Sequence, residues 1–339
     1  MRIRRTFPIV LAVVIVAVAI TAAVELRKHA PPEAARLLPA ADAFLYADFS
    51  WIRKVSSAPL PQVSRDPDYD QFVEQTGFEF ERDLDSVAFA VQYPKPEDRR
   101  AEPRYSEVFT GKFDDQKLSA YLKHTASSSE NYNSISIYTI PMEGRNFRVA
   151  ILSLDCVAAS NYDDPAVIRG MVDRSRRLAS PFGGPAFLRH FYKRVQLASP
   201  LWVIAHVDPS SNEFGGWSTL LAHPVDMVIS ASYNPLHLPL RTGALHLRAE
   251  AWTGNEEDAR NLADKANAFL ANFHTAEMAV RQPAGDADLK AVFDSLQLRQ
   301  EDSRAILSAT LPAGIFRKML ESPADTAPAA APTKTSNHR

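Results

Sequence analysis

Asp66, Asp68 and Asp70 stand at alternate positions in DPDYDQ, the spacing with which a calcium loop opens. Such a loop needs glycine at its sixth position for a sharp turn and a bidentate glutamate at its twelfth. Here those positions hold Gln71 and Gly77, so the segment reads as the solvated start of a helix. The nine histidines are scattered, and none lies in H-E-x-x-H or beside a cysteine at zinc spacing. His237 and His246 come closest to a pair, and strand alternation makes His246 a cross-strand surface or edge residue. The single cysteine, Cys156 in FRVAILSLDCVAAS, excludes a disulfide within one chain and reads as a small buried hydrophobe in a strand.

No G-x-S-x-G elbow, Walker loop or G-x-G-x-x-G occurs. SPFGGPAF and NEFGGWST each carry a Gly-Gly pair without a following lysine, and both read as loops. A serine, histidine and aspartate brought together only in three dimensions stay open as a class, with no member named. No catalytic, cofactor-binding or metal-ligating residue is assigned. Two surfaces remain. FLRHFYKR mixes Phe187 and Phe191 with Arg189, Lys193 and Arg194; at helical spacing it is a buried aromatic stripe with a basic outer face, or a face for anionic lipid or an acidic partner. RGMVDRSRRL places four arginines on a helix whose outer face is expected to be solvated.

The elements that carry these residues follow from pattern. FPIVLAVVIVAVAITAAV, from Phe7 to Val24, has no charged side chain and follows Arg2, Arg4 and Arg5. A bilayer core of about 30 Å needs about 20 apolar residues, so this run is near the lower limit of a spanning helix. The arginines favour a cytoplasmic N-terminus and an extracytoplasmic, periplasmic bulk. A cleaved signal peptide is the competing reading, with small residues at Ala17–Ala19 and at Thr21–Ala23. No cysteine follows the run, which excludes a lipoprotein. The rest has ordinary apolar content for a globular chain, and its formal charge of −2 gives no reason to expect nucleic acid. Glycine is scarce at 12 residues, which disfavours backbone loops that cradle phosphates.

Beyond the anchor (1–28) and a proline-stiffened linker (29–40), the chain reads as two related α+β units, 41–211 and 212–322, with a disordered Ala/Pro/Thr tail at 323–339. LDSVAFAVQYP matches VDMVISASYNP, and YSEVFTGKF matches GALHLRAEAW. Each pair then turns into a helix, one N-capped by Asp114 and one opening at TGNEED with acids in its first turn. FRVAILSLDCVAAS matches SRAILSATL, and DPAVIRGMVDR matches LPAGIFRKMLE, with proline in the first helical turn. Each unit is expected as strand–strand–helix–strand–strand–helix, in a mostly antiparallel sheet with helices on one face. AFLYADFSWI reads as an opening strand, DYDQFVEQTGF as a short helix, and PLWVIAHVD as a buried strand.

The segments ARLLPAADAFLYADFSWIRK, FTGKFDDQKLSAYL and NEEDARNLADKANAFL resemble uncharacterised bacterial single-pass envelope proteins with a duplicated α+β ectodomain. The resemblance implies location and architecture, and no activity or functional residue. The expected function is therefore a membrane-anchored extracytoplasmic binding or scaffold module without catalytic activity. Its partners are the bilayer, through residues 7–24, and an envelope protein. A lipid carrier and a hydrolase built from scattered residues are the alternatives.

Overall fold

The computed structural model describes residues 30–55, 66–94, 102–142, 144–176, 183–209, 221–233, 244–279 and 287–312. The anchor segment, the tail and the LPAGIFRKMLE helix beyond Pro312 lie outside them. The chain is α+β. Among the described residues, twelve strands form one sheet in which every neighbouring pair is antiparallel.

In chain order, α1 (Glu33–Leu37) leads into β1 (Ala43–Asp48), α2 (Phe49–Val55), α3 (Pro67–Thr76) and α4 (Phe80–Asp83). β2 (Leu84–Gln92), β3 (Arg104–Gly111) and α5 (Asp115–Thr125) follow. Next come β4 (Ser128–Tyr132), β5 (Ile135–Met142), β6 (Arg145–Ser153), β7 (Cys156–Ser160), α6 (Ala166–Ser175) and α7 (Ala186–Tyr192). β8 (Leu201–Val207), β9 (Val225–Tyr233), β10 (Leu245–Trp252), α8 (Glu256–Ala279), α9 (Ala287–Ser295), β11 (Gln297–Glu301) and β12 (Arg304–Leu311) complete the fold. Across the sheet the order is β11-β12-β10-β9-β8-β1-β2-β3-β7-β6-β5-β4.

Local signals set several boundaries. Asp114 caps α5 by accepting from the Gln116 and Lys117 amides, both at 3.1 Å, and α5 buries Leu118 and Leu122. Asp66 caps α3 by accepting from the Asp68 amide at 3.0 Å, so this aspartate run is a helix start. AFLYADFSWI is not one strand. The Asp48 carboxylate accepts from Ser50 Oγ at 2.7 Å and the Trp51 amide at 2.9 Å, which ends β1 and starts α2. The 29–40 stretch is not simply a spacer either: in α1 and just after it, Ala34, Ala35, Leu37 and Leu38 are buried in the main core.

The helices clad both faces of the sheet, which corrects the expectation of one. On the face marked by Phe44, α1, α6 and α7 pack Leu37, Ile168, Met171, Val172 and Leu188 against Ala88, Val108, Ala158 and Ile204. On the opposite face, marked by Leu45, α5 packs on Tyr138, Val149 and Val157, while Leu262 of α8 packs beside Ala43, Ala205 and Val225. All five residues of β7, Cys-Val-Ala-Ala-Ser, are buried. A strand without polar alternation is what two-sided burial demands.

Gly111 closes the junction of β2 and β3 beside a register shift at Leu84/Ser86. A Cβ there would stand 2.4 Å from the Asp83 carbonyl oxygen and 3.2 Å from Leu84 Cα. Both obstacles are backbone, and the Gly111 amide is itself held by Asp155 O at 2.9 Å. Gly111→Ala is expected to destabilise the fold by about 2–3 kcal/mol, as overpacking against rigid neighbours does. Urea denaturation followed by circular dichroism measures it, and a loss below about 0.5 kcal/mol would show that the junction yields.

Candidate functional site

α7 brings its aromatic residues inward. Phe187 lies 6.4 Å from Phe44 and 5.1 Å from Phe191, ring centre to ring centre, and both belong to the Phe44-side core. Arg189 and Lys193 are exposed. Arg194 lies over the Trp252 ring at 4.7 Å, on an indole that Arg304 also covers at 5.1 Å. Both Trp252 contacts are cation–π contacts that no sequence spacing announces.

The second arginine-rich stretch is a part-exposed face whose arginines have partners, with Arg169 and Arg174 half-buried and Arg176 exposed. Arg169 grips the Glu130 carboxylate with Nε at 3.0 Å and Nη2 at 2.5 Å and lies over Tyr132. Arg174 donates to Leu37 O at 2.7 Å, and Arg176 donates to Asn133 O. These bonds tie α6 to the β4–β5 hairpin and to α1. Arg177 lies outside the described residues.

His246 sits on β10, an interior strand of the sheet, with Nδ1 3.5 Å from Thr310 Oγ1; His237 lies outside the described residues. Among the described residues no group of three or more metal-capable side chains occurs. Cys156 is buried, and burial first, then Asp155 and Glu33, pushes its thiol up to about 12. A solvent-open cleft with about 290 Å³ of empty space is lined by Leu221, His223, Thr253, Asp258 and Lys265. His223 Nε2 stands 3.7 Å from Asp258 Oδ1, but the Thr253 hydroxyl is directed to Asn255 O and Ser303 O, both at 2.8 Å. Among the described residues, no hydroxyl is held free beside this His–Asp pair.

The open centre of the Leu45 face is different in kind. Cross-strand pairing lines up Ala249, Ile229, Val203, Leu45, Phe89, Glu107 and Ala159 in one row from β10 to β7. Ile229, Val203, Leu45, Phe89 and Glu107 are half-buried, and Leu201, one pleat away on β8, is 42% exposed. Glu107 is the row's only ionisable group. No described residue forms a hydrogen bond or ion pair with it. Burial alone raises its carboxyl from 4.5 to about 7. The sign follows: the folded chain holds this proton more tightly than the unfolded chain does. Its contribution is therefore complete below about pH 4.5 and is lost as the pH rises to about 7.

The sequence carried a signal for Glu107 that pattern reading passed over. In YSEVF it occupies the alternate position between Tyr105 and Phe109, so it shares their face of β3. Its partners on β2 and β7 are known only from register.

The fold and its site define an all-antiparallel α+β protein with helices on both sheet faces and a half-covered apolar row across the middle of one. No family model matches the chain, and no curated protein matches it. Solved structures are similar in outline. Crystal form I of TP0453 is 12% identical with a TM-score of 0.43, over 86% of this chain and 96% of that one. Crystal form III of the same protein is 10% identical with a TM-score of 0.45, over 86% of this chain and 99% of that one. Likenesses of this size carry no conclusion about function.

Proposed function

We propose that the protein is a membrane-anchored extracytoplasmic binding module that holds an apolar ligand or partner on the Leu45 face and performs no catalysis. The observation that carries this reading is the half-buried row Ile229, Val203, Leu45 and Phe89 at the centre of the sheet. An apolar strip left part-open between clad flanks is a recognition surface. Anchoring rests on the uncharged run 7–24 behind Arg2, Arg4 and Arg5. Among the described residues no helix is long and apolar enough to cross a membrane. Arg189 on α7 and Lys193 just after it, both exposed, offer a further contact for anionic headgroups or an acidic envelope partner.

Strand order supports descent from two related units. Outward from the β1–β8 pair, one half runs β1-β2-β3-β7-β6 and the other β8-β9-β10-β12-β11. In this reading β11 corresponds to β6 and β12 to β7, β4–β5 is an addition, and β8 heads the second unit although it precedes residue 212.

Two measurements test the proposal. A reporter active only outside the cytoplasm, fused after Arg339, should be active, and a cytoplasmic signal defeats the orientation. A photoreactive dodecanol offered to membranes carrying the chain should label the row, and Phe89→Gln should reduce that labelling. Labelling spread evenly over the surface removes the binding reading.

A further inference from the structure

We propose that the central row is the seat of a single-chain amphiphile with one positively charged head group, and that Glu107 is its counter-ion. The inference rests on the binding reading above and adds the class of ligand.

The row is one residue wide, because the next rows on the same face lie two residues away along each strand, about 6.6–6.8 Å. Its flanks are low and part-open: Ala47, Val87 and Ala231 are buried on one side and Ala43 and Ala205 on the other, but Leu201, between Ala47 and Ala231, is 42% exposed, and Val91 and Met227 are half-buried. An extended hydrocarbon chain can lie along such a row from strand to strand. Length agrees. From Ala249 to Glu107 the row crosses five strand-to-strand steps of about 4.8 Å, or about 24 Å, which accommodates a long alkyl chain.

Charge then sets its polarity. The row is apolar until Glu107, whose cross-strand neighbours are Phe89 and Ala159 and whose same-face neighbours on β3 are Tyr105 and Phe109. Among the described residues no arginine or lysine compensates it, whereas Glu130 has Arg169 and Asp85 has Arg53. A carboxylate in apolar surroundings without a partner is costly, and a ligand that supplies the cation removes the cost. A fatty acid would instead bring a second negative charge to the same end. Burial, which lifts this carboxyl to about 7, leaves it ionised at pH 8 and available to an ammonium.

The test uses the full chain in membranes at pH 8 and two dodecyl probes with a terminal diazirine, one an amine and one the matching alcohol. Mass spectrometry should place the amine cross-links on Leu45, Phe89 and Val203. Labelling by the amine should exceed that by the alcohol by about tenfold, the worth of a charge-assisted contact. Glu107→Gln should abolish the excess and leave the alcohol unchanged. Equal labelling by both probes in the unmodified chain overturns the ligand class while the binding reading survives. Absence of row labelling by either probe overturns both. An amine excess that persists in Glu107→Gln removes Glu107 from the role.

Discussion

Trp202→Ala lowers the stability of the fold by about 3–5 kcal/mol, the cost of emptying a buried indole site. Trp202 is 1% exposed and stands on β8, at the seam where the two halves of the sheet meet. Its ring stacks on Tyr46 at 5.5 Å and meets the edge of Tyr192 at 5.4 Å, so its loss strips contacts from β1 and α7 together. Tyr192 is itself raised to about 12, chiefly by burial, which marks how dry this pocket is. Trp202→Phe separates packing from polarity. The indole Nε1 is buried without a hydrogen-bond partner among the described residues. Phenylalanine would remove that unsatisfied donor, worth about 1–3 kcal/mol, while keeping most of the ring. The phenylalanine variant should therefore lose less than half of what alanine loses in urea denaturation followed by far-ultraviolet circular dichroism. Equal losses would mean that a water or another group satisfies the indole.

Glu250→Ala is the second large effect, about 3 kcal/mol. Glu250 is 4% exposed and accepts from Arg248 Nε at 2.7 Å and from Arg304 Nη1 at 3.3 Å. Removing one member of a buried ion pair costs about 3–5 kcal/mol because the remaining charge is stranded. Here the two guanidiniums are 35% and 22% exposed, so water can reach them, and the lower end of that range applies. Arg304 is also held by Glu301 at 2.8 Å and covers Trp252, so it stays in place when Glu250 is gone. Glu250→Gln, which keeps the shape and one acceptor but drops the charge, should cost about half as much. If alanine and glutamine cost the same, the charge contributes nothing and the packing of the side chain explains the loss. A melt of each variant against the unmodified chain decides between the two.

What could be read in advance was local. Asp114 and Asp66 announced their helices because a cap bond joins residues two or three apart, and that spacing is visible in any sequence. β2, β3, β8, β9 and β10 were legible from their apolar runs. The same locality explains the failures. DFSWI looks apolar enough to prolong β1, yet Asp48 turns it into α2 through two short-range bonds. HAPPEAARLLPA looks like a spacer because five helical residues are too few for periodicity, and only contact with α6, β2 and β3 buries it. The partners of the part-exposed arginines of α6, Glu130 and Leu37, lie far away in sequence, so no local pattern names them.

The sequence by itself determined the α+β class, the antiparallel habit of the sheet, the starts of α3 and α5, and the apolar run at 7–24. Only the tertiary structure decided that both sheet faces are clad, that Trp202 lies at the seam, and that Glu107 ends a row of hydrophobic side chains. The physical reason is range. Propensities and caps act within a turn of chain, whereas register between β10, β9, β8, β1, β2, β3 and β7 fixes which side chains share a row, and it forms between segments far apart along the backbone.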